Sequence, residues 1–363
     1  MHAPQGLDLE AMHAAAPLIN ELPGEPLPYY VANGEGIRRE VDGQLYTIIA
    51  RGSDTGGIFD AAWVLAPRGA LTPWHRLPEH QRSYYVADGS VQVWLPEGTH
   101  VVTAGGSVHV PQGTPFAYRA LSHMTKLLMF SADAGALDAI LENGEATDAH
   151  VYPAKGGTGR LVLPAGVSAE ELALPDDAIG GGLAPLADTR EFDELPEGTE
   201  AYILNSGHGD NRAWPETINS YVARPRNTDR RYFMVDSLGG QQPYIIRHFH
   251  SLHTENFICL SGRIWIHANG QEVLLTEGDF LHAPAGTIHS FCMATHNTRM
   301  LGLLTGDIFE PFFDVTSQPA NGDLVYTEGL IDPATIPAAM MAHPELDVTV
   351  VGPPPARERA LGI

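Results

Sequence analysis

The sequence predicts an all-β protein with two tandem copies of one barrel or sandwich domain. The first observation is a series of short segments in which apolar and polar residues alternate, separated by turns rich in Gly, Pro, Asn and Asp. Alternation with a period of two is typical of half-buried strands, and closely spaced short strands favour a sandwich or barrel. We predict strands at residues 90–95, 107–111, 263–268 and 280–284.

The second observation is an internal repeat. Gly262 lies 173 residues after Gly89, and this offset holds without a gap through the following segment. The matching pairs are Gly278 with Gly105, Pro284 with Pro111, and Gly286 with Gly113. A weaker similarity precedes each copy, where Tyr-Val-Ala-Asn at residues 30–33 resembles Tyr-Ile-Leu-Asn at residues 202–205. Repetition on this scale predicts two copies of one domain.

The repeat and the composition together predict four regions. The first copy spans residues 1–145, and the second copy spans residues 201–328. Residues 146–200 are read as a partly helical connection, since the surrounding stretch is rich in Ala, Gly, Pro, Asp and Glu and a helix-like segment at residues 136–143 precedes it. Residues 329–363 are Pro-rich and predict a weakly ordered C-terminal tail.

The net charge and the cysteine content indicate which binding partners and which cellular compartment to expect. The chain has 44 acidic and 21 basic residues, a formal net charge of −23. Such a surface repels phosphate backbones and anionic membranes, so we expect neither nucleic acid nor a membrane as a partner. Cys259 and Cys292 make no disulfide framework and are predicted to be small buried residues. The sequence shows neither a leader peptide nor a long apolar run, so we expect a soluble cytoplasmic protein. Whether it forms a homodimer is left open.

Three histidines and a glutamate in two short blocks predict a metal site. His248 and His250 are two residues apart, so on a strand both side chains point to one face. Glu255 follows after a short turn, and His289 follows a Pro-x-Gly turn on a later strand. Imidazole and carboxylate groups bind first-row transition metals, so we expect one divalent ion; Fe, Mn, Ni, Co, Cu and Zn all suit these ligands. The nearby His253, His267, His282 and His296 are not at ligand spacing and are read as hydrogen-bonded polar residues.

These blocks resemble the cupin signature, G-x5-H-x-H with a Glu five residues on, followed by G-x5-P-x-G-x2-H. The leading Gly of the signature is replaced by Gln242. The resemblance implies two small jelly-roll barrels with the metal inside the second barrel. The segments at residues 43–47, 54–57 and 309–313 extend the similarity to bicupins of the quercetin 2,3-dioxygenase type, over roughly residues 28–320.

The first copy lacks most of this ligand set. With the same offset, His75 replaces His248, while Leu77, Arg82 and Phe116 occupy the other three ligand positions. Leucine and phenylalanine cannot bind a metal, and arginine brings its own positive charge. We therefore predict that the first barrel holds no metal and has a structural role; a small-ligand pocket that uses Arg82 is the alternative.

The resemblance implies a dioxygenase that opens the heterocycle of a flavonol or a related hydroxylated aromatic. Glu255 would take the proton of the 3-hydroxyl group, O2 would add across the ring, and carbon monoxide would leave. Strand parity puts Phe257 on the face of Glu255, and Phe291 and Met293 on that of His289, as an apolar wall for the substrate. Two alternatives stay open: a cupin tailoring enzyme of secondary metabolism (an isomerase, a cyclase or another oxygenase) and a non-catalytic ligand-binding bicupin.

Overall fold

The computed structural model describes residues 7–153, 194–320, 325–329, 331–332 and 334–356. The chain divides into two compact units. The first barrel consists of Gly34–Gly209 and Arg226–Asp229, and the second barrel consists of Met1–Asn33, Asp210–Pro225 and Arg230–Ile363.

The described part of the chain is dominated by strands, with only short helices between them. Up to residue 153 the elements are α1 (Leu9–Ala15), β1 (Tyr29–Val31), β2 (Ile37–Val41), β3 (Gln44–Ala50), α2 (Gly52–Thr55), β4 (Phe59–Pro67), β5 (Leu71–His75), β6 (Arg82–Asp88), β7 (Ser90–Leu95), β8 (Gly98–Thr103), β9 (Ser107–Val110), β10 (Phe116–Ala120), β11 (Met124–Ala132), α3 (Asp138–Asn143) and β12 (Glu145–Ala146). From residue 194 they are β13 (Tyr202–Leu204), β14 (Asp210–Trp214), β15 (Thr217–Ala223), a 3-10 turn (Pro225–Asn227), β16 (Tyr232–Gly239), β17 (Arg247–Phe249), β18 (Glu255–Ser261), β19 (Ile264–Ala268), β20 (Gln271–Leu275), β21 (Phe280–Ala283), β22 (His289–Met293), β23 (Thr298–Thr305), α4 (Glu310–Thr316), β24 (Gln318–Pro319), α5 (Thr335–Ala342) and β25 (Thr349–Gly352).

The first barrel contains two antiparallel sheets. One has eight strands in the order β12-β2-β3-β4-β11-β6-β9-β13, and the other has four in the order β5-β10-β7-β8. Its core is built from both sheets, with Ile48, Val64 and Val86 from the larger and Val93 and Phe116 from the smaller. The pattern of alternating apolar residues therefore fills one interior between two sheets, as a jelly roll requires.

The second barrel repeats this arrangement. Its larger sheet has the order β1-β21-β18-β23-β16-β15-β14-β24, and its smaller sheet has the order β20-β19-β22-β17-β25. Phe257 and Leu281 from the larger sheet pack with Ile264, Ile266 and Phe291 from the smaller in one buried core. Two β-barrels with few helices confirm the predicted all-β class.

The two sequence copies are not the two structural units. Strand β1 pairs with β21 of the second barrel, with Tyr29 opposite His282, while β13 pairs with β9 of the first barrel, with Tyr202 opposite His109. These pairs obey the 173-residue offset, so the partner of Tyr202 in the repeat is Tyr29 rather than Tyr30. The predicted boundaries assigned residues 1–33 to the first copy and residues 201–209 to the second, and the structure corrects both.

All four strands predicted from local patterns are present, and their ends differ from the predicted ends by at most one residue. Residues 90–95 form β7, and the other three predicted segments contain β9, β19 and β21. The repeat glycines Gly89 and Gly262 both adopt φ of +77°, a conformation that glycine allows. A Cβ atom on Gly262 would lie 2.5 Å from Oγ1 of Thr298, so the turn before β19 also has no room for a side chain.

The predictions for the inter-domain connection and for the C-terminal tail have mixed outcomes. The helix-like segment at residues 136–143 contains α3, whereas most of the predicted connection falls on residues 154–193, outside the described residues. The predicted weakly ordered tail is wrong for residues 334–356, because they form α5 and β25, and β25 pairs with β17. No helix in the described part of the chain has the length and apolar character needed to cross a membrane.

Candidate metal centre

The predicted ligands lie at the ends of three strands of the second barrel. His248 is on β17 and His250 follows it, Glu255 begins β18, and His289 begins β22. Strands β17 and β22 are antiparallel neighbours, with His248 directly opposite His289. Cross-strand pairing therefore brings two residues that are 41 positions apart onto one face, and the strand β18 supplies the carboxylate.

The four side chains converge in the barrel interior. Each side chain places one ligand atom within 4.8 Å of the ligand atoms of the other three, and all four side chains are buried. The four residues are His248, His250, Glu255 and His289. The Oε2 atom of Glu255 is 2.9 Å from Nε2 of His289 and 3.1 Å from Nε2 of His250. The structure thus brings together all four residues that the sequence proposed as ligands.

The other ring nitrogen of each histidine faces a backbone carbonyl. Nδ1 of His248 lies 2.9 Å from the carbonyl oxygen of Ile246, and Nδ1 of His289 lies 2.9 Å from that of Thr287. Nδ1 of His250 lies 2.5 Å from the carbonyl oxygen of Asp347. Because a carbonyl only accepts, each Nδ1 carries the proton and donates, which leaves each Nε2 lone pair directed into the site.

This donor arrangement fits a metal ion. With Nδ1 protonated, a neutral imidazole offers a lone pair at Nε2, and the carboxylate of Glu255 also offers only lone pairs. Acceptors about 3 Å apart repel each other unless a proton or a metal ion lies between them. Three imidazoles and one carboxylate are suited to a divalent transition metal, with coordination positions left for a substrate. The second barrel therefore carries a site able to hold one metal ion, as the sequence predicted.

The electrostatics favour the ligand forms of these groups. Burial, reinforced by the neighbouring His289 and His250, lowers the pKa of His248 well below its ordinary value. Burial alone would raise the pKa of Glu255, but the positive charge that His250 and His289 carry when protonated outweighs this and holds the pKa well below the ordinary value. A bound metal ion would supply the same positive charge to the carboxylate while the three rings stay neutral. A neutral His248 and an ionised Glu255 are the protonation states that metal binding requires.

A group outside the predicted ligands supports His250. The carboxylate of Asp347 accepts hydrogen bonds from the backbone N–H groups of Ser251 and Leu252, at 2.9 Å each, and lies 2.8 Å from Nδ1 of His253. Its backbone carbonyl accepts from His250. Asp347 thus fastens the segment just after β17 and orients one imidazole of the site.

The remaining neighbours were not predicted as site residues. The rings of His253 and Phe309 stack with centroids 4.5 Å apart, and Phe309 also contacts His250 at 4.5 Å. His253, His250 and Asp347 form a second group whose ligand atoms are mutually close. Burial, followed by the effect of His250, lowers the pKa of His253 to about 4. No local sequence pattern indicated Asp347, which lies 97 residues after His250.

One of the three predicted substrate contacts, Phe257, lies against a predicted ligand, and the other two belong to the same core. The ring of Phe257 is 5.7 Å from that of His289, and Phe291 is 5.9 Å from Phe257. Met293 lies two residues further along β22, in the same buried core. Cys259 also belongs to this core and Cys292 is buried, and neither forms a disulfide bond.

Comparison with known proteins identifies the family. The cupin domain pattern matches residues 62–131 and 234–303, one segment in each barrel. Quercetin 2,3-dioxygenase of Bacillus subtilis (strain 168) is 32% identical over 307 residues, which are 84% of this chain and 90% of the relative. The chain belongs to the cupin family, as a bicupin of the quercetin 2,3-dioxygenase type.

Solved structures show the same fold in other bicupins. A variant of Bacillus subtilis oxalate decarboxylase matches with a TM-score of 0.51 and 14% identity, covering 77% of each chain. Lactobacillus farciminis oxalate decarboxylase matches with a TM-score of 0.51 and 10% identity, covering 77% of this chain and 86% of that one. At this identity the match concerns the two-barrel fold alone.

The bicupin's first barrel keeps the framework of the site but not its ligands. His75 lies opposite Phe116, the same register as His248 opposite His289. Nη1 of Arg82 donates to Nε2 of His75 at 2.7 Å, so a guanidinium occupies the position next to the surviving histidine. Leu77 packs against the hydrophobic core. The four positions equivalent to the ligands all lie in the described part of this barrel. Only one of them, His75, keeps a side chain that could bind a metal.

Proposed function

We propose that this bicupin is a metal-dependent dioxygenase that opens the heterocycle of a flavonol, or of a related hydroxylated aromatic, with O2. The observation that carries the proposal is the convergence of three Nε2 atoms and the Glu255 carboxylate in one buried site. The similarity to a quercetin 2,3-dioxygenase supports the reaction class. The substrates would be a small hydroxylated aromatic and O2.

His248, His250, Glu255 and His289 would hold the divalent transition metal. When bound, such an ion acts as a Lewis acid and lowers the pKa of a hydroxyl group that it binds. The histidines contribute fixed positions, because each Nδ1 is held by a backbone carbonyl. Ligands fixed in this way need little reorganisation when the substrate arrives.

Glu255 would act as the base that takes the proton of the substrate hydroxyl. In the arrangement described above, its lowered pKa suits a ligand better than a base, and that lowering comes from positive charge at the centre of the site. Turning the carboxylate away from this positive charge removes the cause of the low pKa. The same carboxylate then becomes a better proton acceptor, within reach of a hydroxyl held in the site.

Phe257, Phe291 and Met293 would form the apolar wall of the substrate site. All three are buried, and Phe257 lies against His289. Aromatic rings favour offset or edge contacts with a flat aromatic ligand. Their role would be to orient the ring relative to Glu255 and to exclude water from it.

The test is the variant Glu255→Gln, assayed with a panel of flavonols that includes quercetin. We expect the metal-loaded wild type to consume O2 and release carbon monoxide in equal amounts. Loss of the base should reduce the turnover number by roughly 10²–10⁴-fold. The melting temperature of the variant should stay close to that of the wild type, which separates a chemical defect from misfolding.

Other outcomes distinguish the alternative functions. Binding of flavonols without O2 consumption, unaffected by Glu255→Gln, would favour a non-catalytic ligand-binding bicupin. Turnover of another hydroxylated substrate without carbon monoxide release would favour a tailoring enzyme. Wild-type turnover retained by Glu255→Gln would contradict the role proposed for this residue.

A further inference from the structure

The first barrel contains a buried positive charge without a negative partner. Arg82 begins β6, is only 2% exposed, and belongs to a residue type that stays protonated in proteins. In the described part of the chain, no carboxylate forms an ion pair with it. Burying a guanidinium without a counter-charge is strongly unfavourable, because the charge loses its hydration and gains no ion pair in return. A bound anion would remove this cost.

The partners that Arg82 does have are neutral. Nη1 donates to Nε2 of His75 at 2.7 Å and to the hydroxyl of Tyr84 at 3.3 Å. Nδ1 of His75 lies 2.7 Å from the carbonyl oxygen of Pro73, so it carries the ring's proton and Nε2 is free to accept. Burial, with a smaller effect of Arg82, lowers the pKa of His75 to about 3, so this ring stays neutral.

Part of the guanidinium has no hydrogen-bond partner. The Nε atom of Arg82 is buried and receives no acceptor from the described residues. The two ring contacts, with Tyr84 at 5.9 Å and Phe116 at 5.8 Å, supply no acceptor for this N–H. A buried donor without an acceptor is a rare and costly feature in a folded protein. It indicates a place for an additional acceptor atom.

We propose that the first barrel binds a small carboxylate on Arg82. A carboxylate supplies both missing features, a negative charge and acceptor oxygens, and its planar shape matches the donors of a guanidinium. The position corresponds to Glu255 in the second barrel under the 173-residue offset. Where the second barrel uses a carboxylate side chain to hold a cation, the first uses a cationic side chain to hold a carboxylate.

The surroundings of Arg82 favour a carboxylate with an aromatic body. The rings of Tyr84 and Phe116 stack with centroids 5.0 Å apart, and Tyr118 lies 5.9 Å from Tyr84. The hydroxyl of Tyr118 donates to Gln44 at 2.6 Å, which fixes the orientation of this ring. Aromatic faces and edges of this kind bind flat apolar groups. Benzoate is therefore the probe of choice, and acetate tests the carboxylate alone.

The experiment is a titration of the full-length, metal-loaded protein with sodium benzoate and sodium acetate by calorimetry, with sodium chloride at equal ionic strength as the blank. We expect one benzoate site per chain that persists in His248→Ala, where the second barrel has lost a ligand. Arg82→Met should abolish this binding. Arg82→Lys, which keeps the charge but loses the fork of donors, should weaken it by at least about tenfold.

Thermal melting gives a second readout. Benzoate should raise the melting temperature of the wild type and leave that of Arg82→Met unchanged. Metal content near the wild-type value would show that the rest of the variant is folded, and if Arg82→Met does not fold, Arg82→Lys carries the comparison. Three outcomes would overturn the proposal: no binding of either carboxylate to the wild type, equal binding by the Arg82 variants, or binding that disappears in His248→Ala.

Discussion

The two barrels use one backbone frame for opposite charges. In the second barrel, His248 faces His289 across a strand pair, and Glu255 completes a set of lone-pair donors around a space for a cation. In the first, His75 faces Phe116 in the same register, and the guanidinium of Arg82 contacts the histidine directly. The difference teaches that a few side chains decide whether a cupin barrel holds a metal, while the strand pairing stays the same.

The first and largest test removes the equivalent histidine from each barrel. We expect His248→Ala to reduce the metal content from about one ion per chain to below about a tenth, since three remaining ligands no longer surround the ion. The matched variant His75→Ala should keep the wild-type metal content. Elemental analysis of the purified proteins measures both. Equal metal loss in the two variants would contradict the assignment of the metal to the second barrel.

The second test attempts to convert the first barrel into a copy of the second. The triple variant Leu77→His, Arg82→Glu, Phe116→His restores the four ligand types at equivalent positions. We expect the metal content to rise from about one toward two ions per chain, because the backbone register around His75 already matches that of the second site. The single variant Arg82→Glu serves as the control, with no gain in metal. A triple variant that folds but binds no second ion would contradict this expectation. It would show that the backbone around the four positions differs between the barrels although the strand register is the same.

The third test weakens the hydrogen bonds that hold the segment after β17 in the second barrel. In Asp347→Asn, the carboxylate that fastens residues 251–253 becomes a neutral amide. Its single oxygen replaces only one of the two acceptor oxygens used by Ser251 and Leu252, and its NH2 group is a donor facing the other N–H. We expect the metal affinity to fall by roughly 10–100-fold, the usual effect of weakening the groups behind metal ligands. Competition with a chelator measures the affinity. The exposed Glu345, two residues away, offers the matched control Glu345→Gln, for which we expect no change.

The fourth and smallest effect concerns pH and the first barrel. Burial lowers the pKa of His75 to about 3, so this ring is neutral in the folded protein near neutral pH. In the unfolded chain the ring has its ordinary pKa and becomes protonated below about pH 6.5. The unfolded state then binds more protons, so stability falls as the pH falls. From pH 7.0 to 5.5 this group should remove about 1 kcal/mol of the free energy of unfolding.

The variant His75→Ala isolates this contribution. Its free energy of unfolding, measured by urea denaturation, should fall by about 1 kcal/mol less than that of the wild type over the same pH interval. Parallel curves for the two proteins would mean that His75 is protonated in the folded state. That result would also contradict the hydrogen bond that His75 accepts from Arg82.

Several features were predictable because they depend on short stretches of sequence. Strand β7 was predicted with its observed ends, since residues 90–95 alternate and are bounded by Gly89 and Pro96. The ligand set was predictable because the parity of a strand puts His248 and His250 on one face and because the spacing to Glu255 and His289 matches a known signature. The absence of a full ligand set in the first copy followed from the repeat alone.

Other features depended on pairing between distant segments, which local patterns do not encode. The short strand β1 reads as the beginning of the first copy, yet it pairs with β21, about 250 residues later. The Pro-rich C-terminal segment predicted little order, but β25 pairs with β17 and brings Asp347 to His250. Such contacts form only when the sheets are assembled, because backbone hydrogen bonds at a sheet edge carry almost no sequence requirement.

The sequence by itself thus determined the two-barrel class, the residues that could bind a metal, and the barrel that lacks them. The tertiary structure decided which edge strand each barrel receives, which carbonyls orient the histidines, and that Arg82 is buried beside neutral groups. The physical reason is the range of the interactions. Side-chain parity and turn conformation act over a few residues, whereas the charge balance of a buried group depends on every segment that packs around it.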